Sequence, residues 1–132
     1  MKDTLIPGLE RRETVTVDPK RTISFLGEDM RMYSTPNMVD DMEYACFRLL
    51  LEHLDEGESS VGIHVEMQHI GATPLGEDVR INVEIEAVDG RKVIFTAEIR
   101  DAVETVGRGR HTRFIIDEEL HAQRMADKRA KF

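Results

Sequence analysis

Two hydrophobic periods divide the chain. From Val61 onward the repeat is two residues: Val61, Ile63, Val65 and Met67 alternate with His64, Glu66 and Gln68. Val79, Ile81, Val83, Ile85 and Ala87 alternate in the same way with Arg80, Asn82, Glu84 and Glu86. After Asp89-Gly90, a tight-hairpin dipeptide, Val93, Phe95, Ala97 and Ile99 continue the pattern. Such alternation predicts half-buried strands. A last, less regular strand is predicted from Thr105 to Ile116, where Gly107 and Gly109 indicate a bulge or a close approach of backbone to another group. Upstream, Glu13 to Val17 reads as a first strand, closed by Asp18-Pro19.

Between these regions the period is 3.6. Val39, Met42, Ala45, Cys46, Leu49, Leu50 and Leu54 form a broad apolar face, with Asp40, Asp41, Arg48 and Glu52 pointing away from it. The spacing predicts a helix from Pro36 to about Leu54, with Thr35 as its N-cap. Acidic and Ser residues around Gly57 end it. Lys20 to Ser34 has no clear period: Gly27, Glu28 and Asp29 indicate a loop, while Met30, Met32 and Tyr33 indicate packing on an apolar surface. The charged tail from Asp117 to Phe132 reads as a short, solvated helix.

Strand, long helix, then four consecutive strands is the order of an α+β domain. It predicts a five-stranded antiparallel sheet wrapped around one long helix, the hot-dog arrangement. One helix leaves much of five strands uncovered, so a homodimer formed by sheet pairing is expected. At 132 residues the chain fits a single domain. A net charge of −8 argues against nucleic acid and gives no support to an anionic membrane surface as partner. The one cysteine, Cys46, excludes an intramolecular disulfide and a Cys-rich zinc site. With no signal-like segment and no apolar run near the roughly 20 residues that cross a bilayer, a cytoplasmic location is expected.

Three residues stand out as candidate chemistry. Glu43 lies on a mostly apolar helix stripe, three or four positions from Val39, Cys46, Phe47 and Leu50. A carboxylate there is expected to lose hydration and gain basicity; the alternative is a surface glutamate at the edge of the stripe. Counting by two from Val61 reaches His69, which places an imidazole on the apolar strand face that meets the helix. The alternative is a core or strand-end histidine. Thr35 lies eight residues before Glu43, about 80° away around the helix. Its hydroxyl either caps the helix or contacts substrate, and the free amides of the first turn could stabilise an oxyanion. His64 falls on the polar strand face, and His53, His111 and His121 at or near element ends. No histidine pair has zinc spacing with a third ligand, and Gly76, Gly107 and Gly109 make no phosphate loop. Arg108, Arg110 and Arg113 are candidates for the phosphates of a nucleotide carrier, or are solvated.

Two motifs carry a resemblance: T-x7-E-[YW]-A-C on the helix, here Thr35 to Cys46, and H-x2-A-T-P after the second strand, here His69 to Pro74. With EIEAVDGRKVIFTAEIRDAVETVGRGRHTRFIID downstream, the chain resembles the fluoroacetyl-CoA thioesterase group of hot-dog proteins from about Thr35 to Asp117. The resemblance implies a catalytic set of Thr35, Glu43 and His69, with Gly62 and Arg113 beside the acyl group. The fluoroacetyl-specific enzyme has a longer segment before the helix motif, with phenylalanines that form a lid. Here SFLGEDMRMYS is shorter, and no phenylalanine lies between Phe25 and the motif.

The reaction expected is therefore hydrolysis of a short-chain acyl-CoA to free acid and CoA, with no metal and no redox cofactor. His69 would be general base or acid, Thr35 would hold or attack the carbonyl, and Glu43 would orient the pair or activate water. Two alternatives are a hot-dog hydratase or dehydratase, whose usual motif is not visible, and a non-catalytic acyl-CoA-binding module, which needs no such set.

Overall fold

The computed structural model describes all residues, Met1 to Phe132. Five strands, β1 (Glu10–Thr16), β2 (Glu58–His69), β3 (Asp78–Asp89), β4 (Lys92–Arg100) and β5 (Thr105–Asp117), form one antiparallel sheet in the order β1-β3-β4-β5-β2. The helix α1 (Thr35–Leu51) lies against one face of it, and α2 (Glu118–Arg129) follows β5. Met38, Met42, Ala45, Cys46, Leu49 and Leu50, spaced at three and four, are the buried face of α1. They share one core with Val79, Ile81, Val83 and Ile85 of β3, Val93, Phe95 and Ile99 of β4, and Val106 and Ile115 of β5. Neither helix is long and apolar enough to cross a membrane.

Several boundaries differ from those the pattern predicts. The first strand runs from Glu10 to Thr16, three residues earlier than expected, because its pairing with β3 extends from Thr16 opposite Asp78 to Glu10 opposite Glu84. The helix ends at Leu51; Leu54 is buried but lies beyond it. Ser34, not Thr35, is the N-cap, and its hydroxyl accepts from the Asn37 amide. Thr35 is thereby the first helical residue, and its hydroxyl is free for another partner. The tail helix buries no side chain, as its composition predicts.

Strand β2 does not alternate without interruption. Gly62 pairs with Arg113 and His64 with Thr112, so Ile63 is an extra residue, a β-bulge. A bulge reverses the parity of everything after it. Before it, Ser60 and Gly62 face α1; after it, Val65 sits opposite inward-facing His111 and His69 opposite Gly107. Counting by two from Val61 reaches His69, but Val61 itself faces the other way. The bulge is what brings Gly62 and His69, seven residues apart, to the same face. The β5 glycines are close-approach positions: a Cβ on Gly107 would lie 2.6 Å from Met38 Sδ, and one on Gly109 would collide with the Glu66 carbonyl.

Candidate active site

The segment before α1 and the segment after β2 are tied together. Thr22 bridges Tyr33, and Met32 bridges Pro74. The Tyr33 amide donates to the Thr73 carbonyl at 2.8 Å, and the buried Thr73 hydroxyl donates to Asp101 at 2.9 Å. Tyr33 in turn donates its phenol O–H to Asp41 at 2.6 Å, and Arg21 holds Asp41 from the other side. These bonds fix the start of α1 beside the end of β2. The consequence is a hydrogen bond of 2.8 Å between the Thr35 hydroxyl and His69 Nδ1. His69 is half-buried, and burial holds its pKa below the ordinary histidine value. Its Nε2 is buried with no hydrogen-bond partner, the one ring nitrogen uncommitted to the fold. The Tyr33 ring stands edge-on to the imidazole at 6.2 Å. The pair opens into a groove of about 340 Å³ walled by Ile23, Phe25, Met32 and Ile70. Phe25, the last phenylalanine before the helix motif, is 80% exposed at its edge.

Glu43 occupies a different groove. At 1.5 Å per residue, the eight residues from Thr35 to Glu43 span about 12 Å of helix. Glu43 faces Gly62, His111 and Arg113, and its side chain is 38% exposed, so the dehydrated carboxylate expected from the apolar stripe is not observed. It makes no hydrogen bond: Arg113 Nη1 lies 4.0 Å from its Oε2, beyond hydrogen-bonding distance. A Cβ on Gly62 would stand 3.0 Å from His111 Cε1, 3.3 Å from Glu43 Oε2 and 3.5 Å from Arg113 Nη1. Only glycine leaves that space open.

Arg113 is buried, its Nε donating to Ser60 Oγ at 2.8 Å and Nη2 to the Ser60 carbonyl at 2.9 Å. Its guanidinium lies 5.4 Å from the centre of the Phe47 ring. Arg108 and Arg110 do not join it: they project from the opposite face of β5, where Arg110 pairs with Glu86. His111 is not at an element end. It sits in the middle of β5, 1% exposed, with Nδ1 at 2.7 Å from the His64 carbonyl and Nε2 at 3.1 Å from Arg113 Nη1. Stepping back by two from Arg113 would have found it. A larger cavity, about 430 Å³, lies on the outer face of the sheet around Arg12, Arg80 and Arg100, with no imidazole in its lining.

A helix cradled by a five-stranded sheet, with a hydroxyl–imidazole pair at its first turn, places the molecule among the hot-dog thioesterases. More narrowly, the chain belongs to the fluoroacetyl-CoA-specific thioesterase family, which residues 17–119 match. It is 32% identical over 123 residues, 88% of each chain, to a fluoroacetyl-CoA thioesterase from Streptantibioticus cattleyicolor. A crystal structure of a mutant of the fluoroacetyl-CoA-specific thioesterase superposes with a TM-score of 0.87 at 29% identity, covering 96% of this chain and 99% of that one. A mutant of the same enzyme in complex with fluoroacetate and CoA gives 0.80 at 30% identity, covering 87% and 98%.

Proposed function

We propose that the protein hydrolyses short-chain acyl-CoA thioesters to the free acid and CoA, as a cytoplasmic homodimer. The observation that carries this reading is the 2.8 Å contact between Thr35 and His69, with His69 Nε2 left free. A neutral imidazole accepts the proton of a hydroxyl at that distance, and burial keeps it neutral at physiological pH. Thr35, so activated, attacks or orients the thioester carbonyl. Of the first-turn amides only that of Thr35 is uncommitted and suited to the oxyanion, since Pro36 has none and those of Asn37 and Met38 donate to Ser34. Glu43 is a carboxylate without a hydrogen-bond partner, suited to orienting water for release of the acid. Gly62 and Arg113 border the acyl group. Binding of CoA is supported by the complex of the related enzyme. The single free, buried cysteine is in keeping with a reducing compartment.

The separation of the two grooves supports the dimer. Strand β2 is a sheet edge, and at its centre Ile63 and Val65 are 51% and 41% exposed, an edge prone to pairing with another strand. Antiparallel pairing of β2 with β2 of a second copy, centred between Gly62 and His69, sets the His69 of one chain beside the Gly62 groove of the other. Each complete site then takes Thr35 and His69 from one subunit and Glu43, Gly62 and Arg113 from its partner.

The test is release of free thiol from a panel of acyl-CoAs by the wild type, Glu43→Ala and His69→Ala. Thiol release that both substitutions abolish is expected. Full activity in both variants would overturn the site, and hydration of an acyl chain without thiol release would overturn the reaction.

A further inference from the structure

Glu43 and Arg113 are opposite charges 4.0 Å apart, yet they do not form a hydrogen-bonded pair. An exposed carboxylate beside a guanidinium ordinarily closes to a charge-assisted bond of about 2.7–2.9 Å. What restrains Arg113 is where its donors are anchored. A guanidinium has five N–H donors and no acceptor. Two are taken by Ser60, one on Nε and one on Nη2, and a third, on Nη1, by His111 Nε2. Both ends of His111 are therefore determined. Arg113 can only donate, so Nε2 is the acceptor; the His64 carbonyl can only accept, so Nδ1 carries the proton. The ring is the neutral Nδ1–H tautomer. Phe95 of β4 stacks on it at 6.3 Å and holds its plane.

We infer that His111 is a positioning residue: its neutral ring holds Arg113 back from Glu43, so that the carboxylate and a remaining Nη1–H stay available to the acyl-thioester above Gly62. The inference rests on the thioesterase reading and extends it to a residue outside the proposed catalytic set. Its physical logic is position: the bond to His111 anchors Nη1 4.0 Å from Glu43, although a second Nη1–H remains free. Without an acceptor at His111, Nη1 is released to swing to Glu43, the ion pair closes, and the carboxylate is drawn from the position in which it holds water.

Protonation has the same effect as deletion. A proton on Nε2 removes the acceptor and places a second positive charge against Arg113. The charged or titratable groups facing this ring are Arg113 on its own strand, Glu43 from α1 and His64 from β2; β4 contributes only the Phe95 ring. Burial, first, and then Arg113 favour the neutral form; the bond to the His64 carbonyl and the Glu43 charge oppose them, and the net shift is downward.

Two substitutions separate positioning from packing. His111→Gln keeps an acceptor for Arg113; His111→Phe fills the same volume without one. Hydrolysis by His111→Phe is expected to fall about tenfold to a hundredfold in kcat/KM, the range for losing one hydrogen bond to a charged group, and His111→Gln to restore most of it. In an Arg113→Gln background, adding His111→Phe is expected to cost nothing further. Wild-type kcat/KM in His111→Phe, or losses that simply multiply with those of Arg113→Gln, would overturn the inference. If His111→Phe does not fold, nitrogen NMR of wild-type His111 decides: a neutral Nδ1–H ring at neutral pH sustains it, and a cation or the Nε2–H tautomer overturns it. If the wild type hydrolyses no acyl-CoA, the thioesterase reading fails by itself. A crystal structure of His111→Phe or His111→Gln then still shows whether Arg113 closes on Glu43 without the acceptor and stays apart with it.

Discussion

The Thr35 hydroxyl and His69 Nδ1 meet at 2.8 Å, joining the first residue of α1 to the last residue of β2. Because Ser34 caps the helix, this hydroxyl is not used by the fold. Thr35→Ser keeps the oxygen and is expected to retain most of the activity. Thr35→Val keeps the shape, loses the hydroxyl and is expected to lower kcat/KM by about a hundredfold or more, within the range for acid–base catalysis. Thermal unfolding should change little in either variant; steady-state kinetics beside calorimetry separates the two effects.

Gly62 lines the Glu43 groove with backbone alone. In Gly62→Ala the new methyl meets the His111 ring at 3.0 Å, and that ring is buried and bonded at both nitrogens. It also takes the space between Glu43 and Arg113. The protein is expected to fold, losing no more than about 1–3 kcal/mol of stability, while kcat/KM falls more than tenfold. An equally large loss from the solvated Gly90 turn would argue against a specific role.

The β5 glycines differ in what they face. In Gly107→Ala the new atom meets the flexible end of Met38, which can shift at a cost of about 1–3 kcal/mol. In Gly109→Ala it meets the Glu66 carbonyl, backbone that cannot move without parting β2 from β5. Denaturant unfolding should rank Gly109→Ala as clearly the more destabilised.

His69 and His111 both have pKa values lowered mainly by burial. The unfolded chain therefore binds more protons than the folded one between the depressed values and the ordinary value of about 6.5, and stability rises with pH through that window. Their contribution is complete above about 6.5 and is lost as pH falls toward the folded values. The melting temperature of the wild type should drop on mild acidification, before the carboxylates titrate, and His111→Gln should drop less.

Periodicity alone predicts the helix and the sheet, and it singles out three candidate side chains. Glu43 and His69 each broke an apolar pattern, and Thr35 marked the helix start. What periodicity could not reveal was the bulge at Ile63, since a single inserted residue leaves Val61, Ile63, Val65 and Met67 looking like one unbroken face. The correct direction of His69 was reached through a residue on the wrong face. His111 reads as a residue near an element end, yet it lies mid-strand and inward, at the two-residue spacing of Arg113 and Ile115. The open, partly hydrated setting of Glu43 depends on Gly62 and Arg113 lying across from it, a tertiary fact with no local signature.

The division of Thr35 and His69 from Glu43 is tested most directly by mixing two inactive chains. Glu43→Ala and His69→Ala proteins are unfolded together in equal amounts, refolded and assayed for thiol release. If each site joins two subunits, half of the randomly paired dimers carry one intact site, and activity returns to about a quarter of the wild type under ideal statistical reassortment. A mixture as inactive as its parents, with mixed dimers present, would contradict the shared site.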